Sequence, residues 1–246
     1  EALPAAQVAA LADAIRARWT FTRPPAAGTI ENSVRLYLGV HAKLVERGYQ
    51  AVSLKDVDGV KKLMQFAPAG AFMLLHEEDR VCTIPENDVL GAVTQLMVRF
   101  ATGQAGAYLE FYEFLRNGVL MGVPDYVPSE IVDGPVTVMP TAFGEFGEGL
   151  LNVSRIKTGP VTLARLALAN GRYVLHLLTG RAESPRPWEE AGWRPPAPQL
   201  PSLEITLDTP MQDVIDHILG QHYILAYGDH ADTFRHLAAI LGVAVM

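Results

Sequence analysis

The sequence predicts an α/β layer over residues 1–104, Rossmann-like in its helix–strand alternation, followed over residues 105–246 by a mostly antiparallel, barrel-like β domain. Three observations carry this expectation. Up to Gly103, apolar residues recur at helical spacing between short β-like runs, the alternation that builds a mainly parallel sheet. From Val119 to Leu207 the texture changes to short β-like runs separated by Gly, Pro, Asn and Asp clusters. Within them Asn170-Gly171, between Leu168-Ala169 and Arg172-Tyr173, is a two-residue hairpin signal, and such a series closes as a small barrel or packs as a sandwich.

The elements follow in order. Residues 5–17 read as an amphipathic helix in which Asp13 and Arg16 interrupt Ala and Leu, and no small-residue cleavage pattern follows. Gly28 and Thr29 introduce a helix whose apolar positions Val34, Leu36, Leu38, Ala42 and Leu44 lead to a stop at Arg47-Gly48. Residues 51–54 read as a buried strand and 57–66 as a helix, whereas 71–75 is too short for periodicity to separate strand from helix. His76-Glu77-Glu78-Asp79 reads as a solvated turn.

Pro85 marks the turn before a helix on which Val89, Val93, Leu96, Met97 and Phe100 recur, so Glu86 falls at the N-terminal end, where the dipole favours a carboxylate. After Gly103 and Gly106 an aromatic run is extended and sets Glu110 inside a strand, where a charge needs a partner. One reading makes that partner a metal ion. The other lets Glu86 and Asp88 cap a helix and Glu110 face water.

Farther on, runs at 119–121, 136–139, 161–169, 173–179 and 203–207 are the strands of the β domain. Pro185, Pro187 and the prolines of 195–201, with Trp188 and Trp193 interleaved, make a long irregular loop. Residues 143–149 are glycine-rich but acidic, which argues against a phosphate cradle. Thr209-Pro210-Met211-Gln212 reads as a capping box opening a helix to about Leu219, stopped by Gly220. A strand at 222–227 and a helix from about Asp229, carrying Phe234, Leu237, Ala238 and Leu241 to Gly242, complete the chain.

Composition bounds the function. With 49% hydrophobic residues among 246, the chain can bury a substantial core. Twenty Lys and Arg against 27 Asp and Glu leave a net charge of −7 with no long basic run, which argues against a nucleic-acid partner. The single cysteine, Cys82, precludes an internal disulfide framework, suits a reducing cytoplasm, and at a strand position reads as a buried thiol. No apolar run approaches membrane-spanning length. The start at Glu1, without methionine, suggests the remnant of a longer polypeptide.

Glu86-Asn87-Asp88-Val89 followed by Gly91-Ala92-Val93-Thr94, with Glu110 beyond, resembles the Glu-x-Asp-Val-x-Gly-Ala-Leu-Thr passage of the L-fucose isomerase and L-arabinose isomerase family. Residues 159–166, Gly-Pro-Val-Thr-Leu-Ala-Arg-Leu, are similar to a segment of its fucose-isomerase-like members, and Gln221-His222-Tyr223 with Tyr227-Gly228-Asp229 to their ending. The resemblance spans about residues 35–246 and implies a further α/β domain ahead of them. It also implies a homo-oligomer, and a divalent metal, Mn²⁺ or else Co²⁺ or Mg²⁺, held by Glu86, Glu110 and His222 between the two halves. Two carboxylates and an imidazole are hard and borderline donors suited to such an ion with open positions.

The implied activity is aldose–ketose isomerisation of a small sugar through an enediol, with Glu86 and Glu110 also acting as acid and base. Glu110 stands where fucose isomerases have Asp, a methylene and about 1.5 Å more reach. Val123 stands where many relatives carry a further histidine, and residues 55–75 depart from the pattern. A degenerate relative that binds sugar without turnover, or a structural or regulatory domain, are the alternatives. His217, His230 and His236 match nothing in the family.

Overall fold

The chain passes back and forth between two units, one made of Glu1–Asp88 and Asp125–Arg155, the other of Val89–Pro124 and Ile156–Met246. The structure, a computed structural model, describes residues 3–123, 126–141, 147–187 and 201–246. The glycine-rich residues 143–146, Trp188, Trp193 and prolines 195–200 of the expected loop lie outside the described residues. The single boundary expected at residue 104 gives way to this interleaving for two reasons. The helix before it belongs with the strands that follow, and one later β run returns to the first unit.

In the first unit, α1 (Ala5–Arg18) buries Val8, Ala12 and Ile15 and leads into β1 (Thr20–Phe21). Helix α2 (Thr29–Arg47) ends at Gly48, whose left-handed φ of 66° lets its N–H close on the Leu44 and Val45 carbonyls. Strand β2 (Ala51–Ser53) is only half-buried, and a π-helical turn, Asp56–Lys61, runs into α3 (Lys62–Met64) where a continuous helix was expected. Next come α4 (Ala69–Asp79) and β3 (Cys82–Ile84), in which Cys82 is buried as expected.

Helix α4 resolves the ambiguity at residues 71–75. Every residue from Ala69 to His76 is buried, and a helix apolar all round has no periodicity to read. The polar run His76–Asp79 is that helix's last turn, not a solvated turn. Asp79 takes His41 Nδ1 at 2.8 Å, while Glu77 and Glu78 lie 3.0 and 2.7 Å from the Arg18 guanidinium.

The chain then enters the second unit with α5 (Val89–Thr102), β4 (Ala107–Phe114) and β5 (Gly118–Gly122), and returns to the first with β6 (Thr137–Pro140) and β7 (Leu150–Asn152). Strand β6 pairs in parallel with β1 and antiparallel with β7, and β2 and β3 form a separate parallel pair. The run near 136–139, expected in the β domain, is therefore part of the first unit, because its partner is an N-terminal strand.

The second unit is completed by β8 (Gly159–Ala169), β9 (Arg172–Glu183), β10 (Ser202–Leu207), α6 (Met211–His217), β11 (His222–Tyr227), α7 (Ala231–Leu241) and β12 (Ala244–Val245). The order β10-β5-β4-β11-β8-β9 closes on itself where β10 also pairs with β9, a six-stranded antiparallel barrel. Asn170 and Gly171, at φ 51° and 75°, make the expected β8–β9 hairpin, with Ala169 opposite Arg172. The capping box does not form. Pro210 stands at the N-cap without a side-chain bond, and the Gln212 amide donates to Asp216 instead.

Helix α5 packs along the neighbouring strands β8, β11 and β4, which makes that face the outside of the barrel. It buries Gly91, Ala92, Thr94, Gln95, Met97 and Val98, so the stripe expected inward is largely turned out. Tertiary hydrogen bonds decide this. Leu166 N–H donates to Thr94 Oγ1 at 3.0 Å, and Gln95 Nε2 donates to the Gly106 carbonyl at 2.8 Å. Gly106, at φ 65°, permits the close turn, since a Cβ there would come within 2.7 Å of Ile224. No helix among the described residues is long and apolar enough to cross a membrane.

Candidate functional site

Two of the three expected ligands meet in the barrel. Strands β4 and β11 pair antiparallel with Glu110 directly opposite His222, a position that sets side chains about 5 Å apart at Cβ. Alternation along β4 puts Tyr108 on the same face, and its ring stacks on the His222 imidazole at 4.4 Å between centroids and 13° between planes. His222 is 7% exposed. The next residue, Tyr223, points to the opposite face, where it meets Phe111 edge-on and His176.

Glu110 is half-buried, and loss of hydration pushes its carboxyl above the usual carboxylate range, partly opposed by Gln221, whose Nε2 donates to Glu110 Oε1. Opposite Glu110 on β5 is Gly122, where a Cβ would stand 2.0 Å from the Tyr112 ring. The register of β4 shifts between Phe111 and Glu113, so Tyr112 sits at a bulge and its ring occupies the space that Gly122 leaves. The sequence reading missed Tyr108, Gln221 and Gly122. The signal for Tyr108 was its two-residue offset from Glu110.

Glu86 belongs to the first unit. It does not start a helix as expected. Glu86 and Asn87 are both left-handed, at φ 64° and 59°, and α5 begins only at Val89. Asn tolerates that conformation and Glu pays for it, of order 1–2 kcal/mol. The turn is held from outside itself. Glu86 N–H donates to Asp56 Oδ1 at 2.8 Å and Asn87 N–H to the Leu54 carbonyl at 3.0 Å, while Asp56 Oδ2 lies 3.1 Å from Lys61 Nζ, both side chains buried. A non-glycine residue kept in a strained conformation by a buried ion pair marks Glu86 as a placed side chain. Replacing Glu86 by Gly should therefore raise stability by about 1 kcal/mol in urea unfolding while removing the carboxylate; a loss of stability would show the turn to be unstrained.

No protein-family model matches the chain, and no curated protein matches it in sequence. The site therefore has to be judged on its own chemistry. Glu110 and His222 offer a hard and a borderline donor side by side, which fits the first-row divalent ions and magnesium. Among the described residues no group of three or more His, Cys, Asp or Glu is positioned to hold a metal ion.

The other candidates are accounted for locally. His217 Nδ1 lies 2.8 Å from the Asp213 carbonyl, His230 Nε2 lies 2.8 Å from the Tyr227 carbonyl, and His236 is exposed on α7. In the first unit a cleft of about 410 Å³ is lined by Arg18, His76, Glu77, Arg80, Ser129 and Glu130. Its carboxylates already pair with Arg18 and Arg80, and burial pushes the Glu77 carboxyl up against the pull of Arg18.

Proposed function

We propose that the chain is a metal-dependent aldose–ketose isomerase, an intramolecular oxidoreductase resembling the L-fucose and L-arabinose isomerase family, acting on a small sugar. The observation that supports this reading is the opposition of Glu110 and His222. Residues far apart in sequence, quoted for the resemblance from motif alone, are direct cross-strand partners on adjacent barrel strands. The first unit's parallel pairs, β1 with β6 and β2 with β3, support reading it as part of a Rossmann-like layer. Self-association and a reducing cytoplasm belong to the same reading.

Glu110 and His222 would hold Mn²⁺, or Co²⁺ or Mg²⁺, with Glu86 as the third ligand on the strength of the resemblance alone. The ion, when bound, supplies a Lewis acid for the adjacent oxygens at C1 and C2. The chain's own groups do the rest. Glu110, with a raised pKa, is suited to take and return a proton between neighbouring carbons, and the Gln221 amide fixes the direction of its carboxyl. Tyr108 holds the His222 ring in plane and keeps water from it.

A second reading, a degenerate relative that binds sugar without turnover, is favoured by Val123. Where many members of the resembled family carry a histidine, Val123 is 2% exposed and its backbone N–H donates to the Pro201 carbonyl at 3.0 Å. Metal content and turnover of a panel of aldoses with Mn²⁺ decide between the readings. Glu110→Gln should lower turnover by about 10³-fold, and His230→Ala should leave metal affinity nearly intact. Sugar binding without turnover would establish the second reading, and neither metal nor sugar binding would overturn both.

Glu110→Gln has a second consequence. A carboxyl whose folded pKa is raised weakens the fold once pH rises through that pKa and costs nothing below the unfolded value. The metal-free variant should therefore be the more stable protein at neutral pH and lose that advantage on acidification. Equal thermal midpoints at neutral pH would refute the burial of this charge.

A further inference from the structure

We propose that the cleft of the first unit is a binding site for a neutral polyhydroxylated ligand of monosaccharide size. It lies where the end of α1, the last turn of α4 and the short turn Ser129–Ile131 meet, and its volume of about 410 Å³ is that of a small-molecule site. The ion pairs of Arg18 and Arg80 balance the charge of this cleft but leave its floor short of hydrogen bonds. Trp19 is 3% exposed and the Glu77 side chain 8%. Among the described residues the Trp19 indole N–H has no hydrogen-bond acceptor and neither Glu77 oxygen a hydrogen-bond donor, since Arg18, at 3.0 Å, is an ion-pair partner without hydrogen-bond alignment. Burial pushes the Glu77 carboxyl up, and Arg18, then Trp19 and Ser129, pull it back, so the indole N–H and the Ser129 hydroxyl stand beside this carboxyl without the alignment of a hydrogen bond. Buried polar groups in folded proteins are hydrogen-bonded, and a donor and two acceptor oxygens left over in one cleft point to a group that enters from outside.

The leftover atoms select the chemistry. A hydroxyl group accepts from the Trp19 N–H and donates to Glu77 through one oxygen, which neither an ammonium nor a carboxylate can do. Both guanidinium groups are held by carboxylates, Arg18 by Glu77 and Glu78 and Arg80 by Glu130, so the lining has no unspent positive charge with which to draw a phosphate. A single water also bridges a donor and an acceptor, but it leaves the apolar wall of Val136 and the Trp19 ring in contact with solvent. A carbon frame with adjacent hydroxyls covers that wall and bridges the pair as well. The site lies in the other unit from Glu110 and His222 and does not depend on the isomerase reading.

Titrating the full chain, without added metal, with a panel of neutral aldopentoses and aldohexoses should shift the Trp19 indole N–H resonance, which Trp19→Phe identifies by removing it. Saturation transfer from protein to sugar then measures affinity in the variants. Trp19→Phe, which keeps an aromatic ring, and Glu77→Gln, which keeps the side-chain shape, should each weaken binding of the responding sugar by about 10-fold. Glu110→Gln should leave it unchanged. Trp19→Phe tests the site even where Glu77→Gln lowers the thermal midpoint. A panel that leaves the indole resonance in place, the mark of a cleft holding water alone, would overturn the proposal. So would sugar binding that Glu110→Gln abolishes and Trp19→Phe leaves intact, or a stronger response to inorganic phosphate than to any neutral sugar.

Discussion

Replacing Asp56 by Ala should lower the unfolding free energy by about 3–5 kcal/mol, the cost of leaving a buried charge without its counter-ion. The Asp56 carboxylate is wholly buried and Lys61 is 5% exposed, with 3.1 Å between Oδ2 and Nζ. The same carboxylate accepts the Glu86 N–H, so the substitution also strands a backbone donor at the left-handed turn. Replacing Asp56 by Ala and Lys61 by Met together separates the two effects. The apolar pair should recover most of the stability, because a buried ion pair is worth little more than a well-packed hydrophobic substitute. It should not restore the Glu86 turn, whose amide would exchange with solvent faster than in the wild type. Urea unfolding measures the first effect and amide hydrogen exchange the second. A loss below about 1 kcal/mol for Asp56→Ala would mean that the pair is hydrated and does not hold the turn.

Acid should destabilise the protein through His176. Burial pushes its imidazole down to about 4, with the charge of His217 a smaller cause. Its Nδ1 lies 2.7 Å from the Tyr223 hydroxyl, which in turn accepts the Leu219 N–H at 3.1 Å, so Tyr223 donates to a neutral ring. The unfolded chain takes up a proton at the ordinary value of 6.5, and the folded barrel refuses it until about 4. Stability from this group is therefore complete above pH 6.5 and falls as pH drops toward 4, by up to about 3 kcal/mol. Titrating carboxylates contribute equally to wild type and variant, so the comparison isolates the histidine. His176→Gln should give a flatter stability curve between pH 6.5 and 4, and parallel curves would show that His176 is charged in the folded state.

Much of the second unit was legible because its signals are local. Asn170-Gly171 declares a hairpin by the φ each residue tolerates, the strand at His222–Tyr227 is bounded by Gly220 and Gly228, and Gly48 and Gly242 end helices in the left-handed conformation. The change of texture after Gly103 foretold an antiparallel β domain, and closure supplied the barrel. Where neighbours far along the chain decide, the reading failed. Residues 71–75 carry no period because everything around them is core. The run near 136–139 looks like any β run until β1 claims it. Helix α5 has two apolar faces in sequence, and only the Leu166 and Gly106 hydrogen bonds choose which is buried.

The candidate site divides along the same line. Local pattern offered Glu86 and Glu110 as candidates and put Glu110 and His222 on strands, because those are properties of neighbours in the chain, whereas the choice of His222 and of the three as one set came from the family resemblance. That Glu110 and His222 face each other across one ladder, that Tyr108 and Gln221 hold them, and that Glu86 sits in a strained turn pinned by Asp56 and not at a helix start, were decided only in three dimensions. Register and ion-pair burial bring together residues separated by tens to more than a hundred positions. Such pairings are set by the free energy of the packed whole, which no window of sequence contains.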